Sequence, residues 1–145
     1  MSRSATLARY RTAGLGTRLH VAVRWRSCPI PEVAAVVPTD GRVLEIGCGH
    51  GLVANYLADT APGRTLVGVD IDPGKVAAAE ASRRPGDATT FTLVAAGELP
   101  DGPFAAVVIV DVLYLLDGVG RDALLAGAVE RLTPEIGRAS CRERV

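Results

Sequence analysis

The chain has 145 residues, the size of one domain, and 48% of them are apolar, enough to bury a core of its own. Its 16 Lys and Arg balance its 16 Asp and Glu, so no excess charge draws it to nucleic acid and no such partner is expected. No apolar run approaches the length of a membrane span, the amino terminus lacks the apolar stretch of a secretory signal, and the 3 Cys are scattered without a CxxC pair or a His at metal-ligand spacing. The expectation is a cytoplasmic protein with reduced thiols, no metal centre and no membrane contact.

Residues 1–38 form a basic lead-in, with Arg3, Arg9, Arg11, Arg18, Arg24 and Arg26 and no acid before Glu32. Gly14 and Gly16 interrupt any single helix over residues 7–26. Pro29 and Pro31 open a short helix over residues 32–37, which Pro38 ends. Thr39-Asp40-Gly41 is a turn, and residues 42–46 read as a β-branched and leucine-rich strand. A helix over residues 51–59 follows, with Leu52, Val53, Tyr56 and Leu57 at three-and-four spacing. Residues 61–64 return the chain to a second strand, 65–70. Asp72 is placed as an N-cap with Pro73 at the first helical position, and that helix is expected to run to about residue 84, where Pro85-Gly86-Asp87 breaks it.

A third strand covers residues 90–95 and a loop residues 97–103. The fourth strand, residues 104–110, is continuously apolar and so is expected to be buried on both faces. A last helix over residues 121–132 presents Leu124, Leu125, Ala128, Val129 and Leu132 along one side. Strand and helix alternate throughout, which predicts an α/β fold with a parallel sheet, and right-handed crossovers give the local strand order 3-2-1-4. Residues 39–134 form this domain. Residues 135–145 lose all periodicity and resemble the translation of a short-read sequencing adapter joined to a gene. They are expected to be a non-native tail, leaving the domain incomplete on its C-terminal side, and the fragment is expected to be inactive alone.

The chemistry is concentrated where the first strand runs into alternating glycines, Val-Leu-Glu-Ile-Gly-Cys-Gly-His-Gly over residues 43–51. Gly47, Gly49 and Gly51 let the backbone turn tightly and let a ligand approach bare main chain. Asp70, about twenty positions on at the tip of the next strand, is where nucleotide-binding βαβ units keep the acid that grips ribose. A dinucleotide site would need G-x-G-x-x-G and a third glycine at position 52, which is Leu. An NAD(P)-dependent oxidoreductase is therefore the disfavoured alternative.

The pattern E-x-G-x-G-x-G, followed by Val-Gly-Val-Asp-Ile-Asp, closely resembles the cofactor site of class I S-adenosylmethionine-dependent methyltransferases, over about residues 40–134. The resemblance implies a Rossmann-like sheet, S-adenosylmethionine as cofactor, and methyl transfer to an acceptor expected to be a small molecule. It also assigns residues. Glu45 would orient the glycine turn and the amino-acid part of the cofactor, or cap the adjacent helix, or both. Gly47, Gly49 and Gly51 would offer backbone, with a β-carbon at 47 or 49 pushing into the ligand. Cys48 would be a small filler, and His50 a loop residue without a chemical role. Asp70 would accept both ribose hydroxyls, and Ile71 would pack on the adenine.

Ala96 and Gly97 would supply main chain to the adenine ring, and Asp111 at the end of the fourth strand would face the methionine part or the acceptor. One position departs from the family pattern. Where an acid commonly takes the adenine amino group this chain has Ala95, with Glu98 as a possible substitute, which also leaves open a non-catalytic binding module. No general base stands out; Tyr114, Tyr10 and Trp25 read as packing residues. Methyl transfer needs little more than alignment in a dry pocket, so the lack of a triad does not argue against an enzyme.

Overall fold

The computed structural model describes residues 3–134; the stretch expected to be a non-native tail lies outside the described residues. Four parallel strands, β1 (Asp40–Ile46), β2 (Gly63–Asp70), β3 (Thr89–Leu93) and β4 (Ala106–Ile109), form one sheet in the order β3-β2-β1-β4. This is the order that right-handed crossovers require. The helices are α1 (Arg3–Leu7), α2 (Leu15–Ser27), α3 (Ile30–Val36), α4 (Leu52–Thr60), α5 (Pro73–Ala81) and α6 (Gly118–Glu130). β1 is central, pairing β2 from Asp40↔Gly63 to Ile46↔Val69 and β4 from Val43↔Ala106 to Ile46↔Ile109.

The period of two along β1 sorts its side chains between two cores. Val43 joins Leu52, Leu57, Val76 and Phe91 on one face, while Leu44 and Ile46 join Val69, Phe104 and Ala128 on the other. Glu45, in phase with Val43, is thereby sent to the α4 face, where it is 2% exposed. The lead-in shares the first core, since Tyr10, Val21 and Ile30 are all buried within it. Arg9 holds it there: its guanidinium donates to Asp59 and Asp87, both at 2.6 Å, from a side chain that is almost wholly covered. Arg64, the second residue of β2, is also buried and donates to the carbonyls of Ala34, Val37, Pro38 and Leu57. It therefore neutralises the carbonyl-rich ends of α3 and α4 together.

Four expectations need correction. The fourth strand is four residues long and only Val108 in it is buried, because among the described residues β4 pairs with β1 alone and is an edge. Helix α5 stops at Ala81 rather than near residue 84, since the Ser82 hydroxyl turns back to donate to the Ala79 carbonyl at 2.6 Å. Helix α6 begins at Gly118, three residues early, because Asp117 caps it by accepting from the Gly120 N–H at 2.7 Å. Gly16 does not break the lead-in helix: it sits in the first turn of α2, where Gly14 is the N-cap.

Candidate functional site

The strand order reverses between β1 and β4, and the crevice beyond the carboxyl ends of such strands is where open α/β sheets take ligands. A cleft of about 930 Å³ opens there, between the glycine turn, the ends of β2 and β4, and the inward side of α2. It is lined by Glu45, Gly47, Cys48, Gly49, Asp70, Ile71, Ala96, Gly97 and Asp111, so all but one of the residues expected to meet the cofactor lie at one place. The exception is Gly51.

The three glycines all take left-handed φ angles, +75°, +53° and +78°, but for different reasons. A β-carbon at Gly47 would lie 2.3 Å from Val112 Cγ2, and one at Gly51 would lie 2.6 Å from Phe91 Cζ and 3.0 Å from Ala79 Cβ. Those two glycines are needed by packing. At Gly49 a β-carbon would meet nothing within 4 Å. Gly49 is therefore the position where bare main chain faces open cleft, whereas a side chain at 47 would meet Val112.

Asp70 closes the turn from the other side. Its Oδ2 accepts from the Gly49 N–H at 2.8 Å and its Oδ1 from the Asp72 N–H at 3.0 Å. Each oxygen keeps a lone pair for a further donor. Capping of α5 falls to Asp72, whose Oδ1 accepts from Gly74 and Lys75 at 2.9 and 3.1 Å. Beside them Ile71 is 63% exposed, an apolar side chain turned outward at the cleft.

Glu45 lies on the floor. Helix α4 starts from Gly51, which has no side chain to cap it, and Glu45 Oε2 supplies the missing acceptor by taking the Ala54 N–H at 3.0 Å. Burial pushes its carboxyl up to about 8, against the opposing pull of that N–H and of the Arg24 charge. Cys48 packs beneath the turn at 5% exposure, and burial together with Glu45 and Asp70 drives its thiol upward, away from the thiolate form. In the loop after β3, Glu98 Oε2 accepts from the Ala95 N–H at 3.3 Å, so a carboxylate stands in the same loop as Ala95.

Sequence reasoning missed the contribution of α2. His20 and Arg24, one turn apart, both line the cleft. Arg24 Nη1 forms an ion pair with Asp111 Oδ2 that ties α2 to the end of β4. Asp111 is the one residue other than glycine, among those described, with a left-handed φ, at +56°. His20 stacks against His50 with ring centroids 4.4 Å apart. Burial first, then neighbouring cationic groups, holds both imidazoles below their ordinary value, so both are neutral at pH 7. The only signal in the sequence was the acid-free run of Arg residues, which does not say which of them turns inward. Tyr10 is not at the cleft: buried, it donates to the His50 carbonyl at 2.8 Å and accepts from Asn55 Nδ2 at 2.9 Å, bracing the turn from below. Trp25 packs edge-on against Tyr56, and Tyr114 lines the cleft while 67% exposed.

The chain spans less than a third of a curated relative that it matches: an uncharacterized protein of Synechococcus sp. is 33% identical over 118 residues, 70% of this chain and 28% of that one. Among solved structures the fold is shared with magnesium protoporphyrin IX methyltransferase from Synechocystis, crystallised with bound S-adenosylmethionine, at 20% identity and a TM-score of 0.66 over 90% of this chain and 67% of that one. It is shared too with CalS10, an amino pentose methyltransferase from Micromonospora echinaspora, at 22% identity and 0.65 over 80% and 52%. A TehB-like S-adenosylmethionine-dependent methyltransferase from Corynebacterium glutamicum gives 23% and 0.60 over 77% and 64%. The family model described as a methyltransferase domain matches residues 43–135, a segment that begins within β1 and takes in the glycine turn. With more than half of its length inside that match, the chain belongs to the methyltransferase-domain family.

Proposed function

We propose that this chain is the cofactor-binding part of a cytoplasmic S-adenosylmethionine-dependent methyltransferase whose acceptor is a small molecule. The observation that carries the reading is the open position at Gly49 beside the Asp70 carboxylate. A nucleoside can lie there against main chain, with its vicinal hydroxyls on the free lone pairs of Asp70 in charge-assisted bonds. Ile71, Ala96 and Gly97 would hold the base, and Gly47, Cys48, Glu45 and Asp111 the amino-acid end. Gly51 supports the turn without touching the ligand. Bound S-adenosylmethionine supplies an activated methyl group on a sulfonium.

What the protein must add is alignment and exclusion of water, and a cleft with many apolar lining residues and α2 along one side suits that task. Leu52 supports this reading over a dinucleotide site: it is 6% exposed and packed in the core, so the position where a third glycine would admit a pyrophosphate is occupied. Isothermal titration tests the proposal. S-adenosylhomocysteine is expected to bind and NAD not to compete, and Asp70→Asn is expected to weaken binding by about 10- to 100-fold, the worth of the charge-assisted bonds. Binding of NAD in its place, or no uptake of S-adenosylhomocysteine at millimolar concentration by the folded chain, would overturn it.

A further inference from the structure

We propose that the outward face of α2 is a docking surface for an anionic lipid bilayer, on which the chain sits as a peripheral protein. The inference does not depend on the cofactor reading, and its side chains lie outside the cleft. A surface helix ordinarily keeps its apolar stripe inward and its polar side chains in water. Helix α2 does the reverse. Of its thirteen residues only Val21 is buried, and the polar His20 and Arg24 line the cleft. Leu15, Leu19 and Val23, each one turn from the next on one side of the helix, stand in solvent at 79%, 64% and 56% exposure. A row of large apolar side chains in water is the kind of surface that proteins keep for a partner.

The charge around that row points to the partner. The balanced total hides an asymmetry: residues 1–31 carry six Arg and no acid, which leaves ten basic against sixteen acidic residues in the rest. Arg9 and Arg24 are engaged in ion pairs with Asp59, Asp87 and Asp111. Arg18 and Arg26 on α2, and Arg11 just before it, are exposed, and their guanidinium groups have no ion pair among the described residues. A second copy packed through the same face would bring Arg18 and Arg26 of both chains into one interface. A protein groove would have to wrap a helix whose other side is already seated on the core through Val21. A bilayer surface requires neither. It is flat, its negative headgroups take the Arg side chains, and the three apolar side chains enter the boundary between headgroups and acyl chains. No described helix is long and apolar enough to cross a bilayer, so the contact proposed is with its surface. The expectation of no membrane contact considers spanning segments and total charge, and neither measures a helix lying in the interface.

The test is flotation of the 145-residue chain with vesicles of phosphatidylcholine alone and of an equal mixture of phosphatidylcholine and phosphatidylglycerol. The chain is expected to float with the anionic vesicles only, and less so as salt is raised. Leu19→Ser should weaken the partition by about tenfold, and Arg18→Gln and Arg26→Gln by about fivefold each. Thermal melts of these variants should match the wild-type chain, since the three side chains are exposed and none lines the cleft. Should Leu19→Ser fail to fold, Leu15→Ser in the first turn of α2 takes its place. Equal flotation with the neutral vesicles, flotation with neither, or flotation that the Leu and Arg variants leave unchanged would overturn the proposal. So would a dimer in sedimentation equilibrium that Leu19→Ser abolishes, which would assign the face to a second copy.

Discussion

Glu45→Gln is the substitution whose consequence follows most directly from the geometry. The carboxyl is 2% exposed and its ordinary value near 4.5 is pushed to about 8, chiefly by burial. A folded value above the unfolded one means that the folded chain favours the protonated form. The contribution is whole below about pH 4.5 and is lost as the pH climbs toward 8. Holding the group ionised above that point costs up to about 5 kcal/mol. Glutamine is nearly the same shape, cannot ionise, and keeps a carbonyl oxygen for the Ala54 N–H, so it preserves the cap. Urea denaturation at pH 5, 7 and 9 on both proteins measures the effect. Near pH 5 the two midpoints should nearly coincide. By pH 9 the variant should be the more stable by several kcal/mol, with the same m-value. A difference that stays constant from pH 5 to pH 9, or that favours the wild type at high pH, would refute the assignment of Glu45 as a buried, proton-retaining cap.

Other outcomes follow from named contacts. Gly51→Ala is expected to lose about 2–4 kcal/mol, combining a left-handed φ with a β-carbon driven into Phe91 and Ala79, whereas Gly49→Ala should lose only about 1 kcal/mol and yet abolish uptake of S-adenosylhomocysteine; thermal melts and titration calorimetry on the pair separate fold from site. Arg9→Ala strands Asp59 and Asp87 without their buried partner and should cost about 3–5 kcal/mol by chemical denaturation. The same two carboxylates, held below their ordinary value by Arg9, stabilise the fold above about pH 4, and that contribution disappears as the pH falls through their lowered values. Below about pH 4 the urea midpoint, followed by circular dichroism, should therefore fall far less steeply with pH in Arg9→Ala than in the wild-type chain. Cys48 should resist thiol reagents at pH 8 in the native chain and react once unfolded, read by peptide mass mapping.

Local pattern determined the sheet and its order. Parallel strands announce themselves as apolar runs between helices, and chirality leaves one way to connect them, so β1 to β3, α4 and α5 were legible within a few residues. The glycine turn and Asp70 were legible for a related reason: a tight turn facing a ligand admits few residue types, and the acid must stand at the end of the neighbouring strand. What the linear pattern does not carry is which of several equivalent residues faces inward. Gly47, Gly49 and Gly51 are alike as letters, and only the packing of Val112 and Phe91 leaves the middle one open to the cleft. Six Arg precede Glu32 in an ambiguous helical stretch, yet Arg9 is driven into a buried ion pair and Arg24 to the cleft wall by the way α1 and α2 lie across α4 and the glycine turn. Long-range placement decides burial, and burial decides whether a charge is a solvated surface group, a structural rivet or part of a binding site.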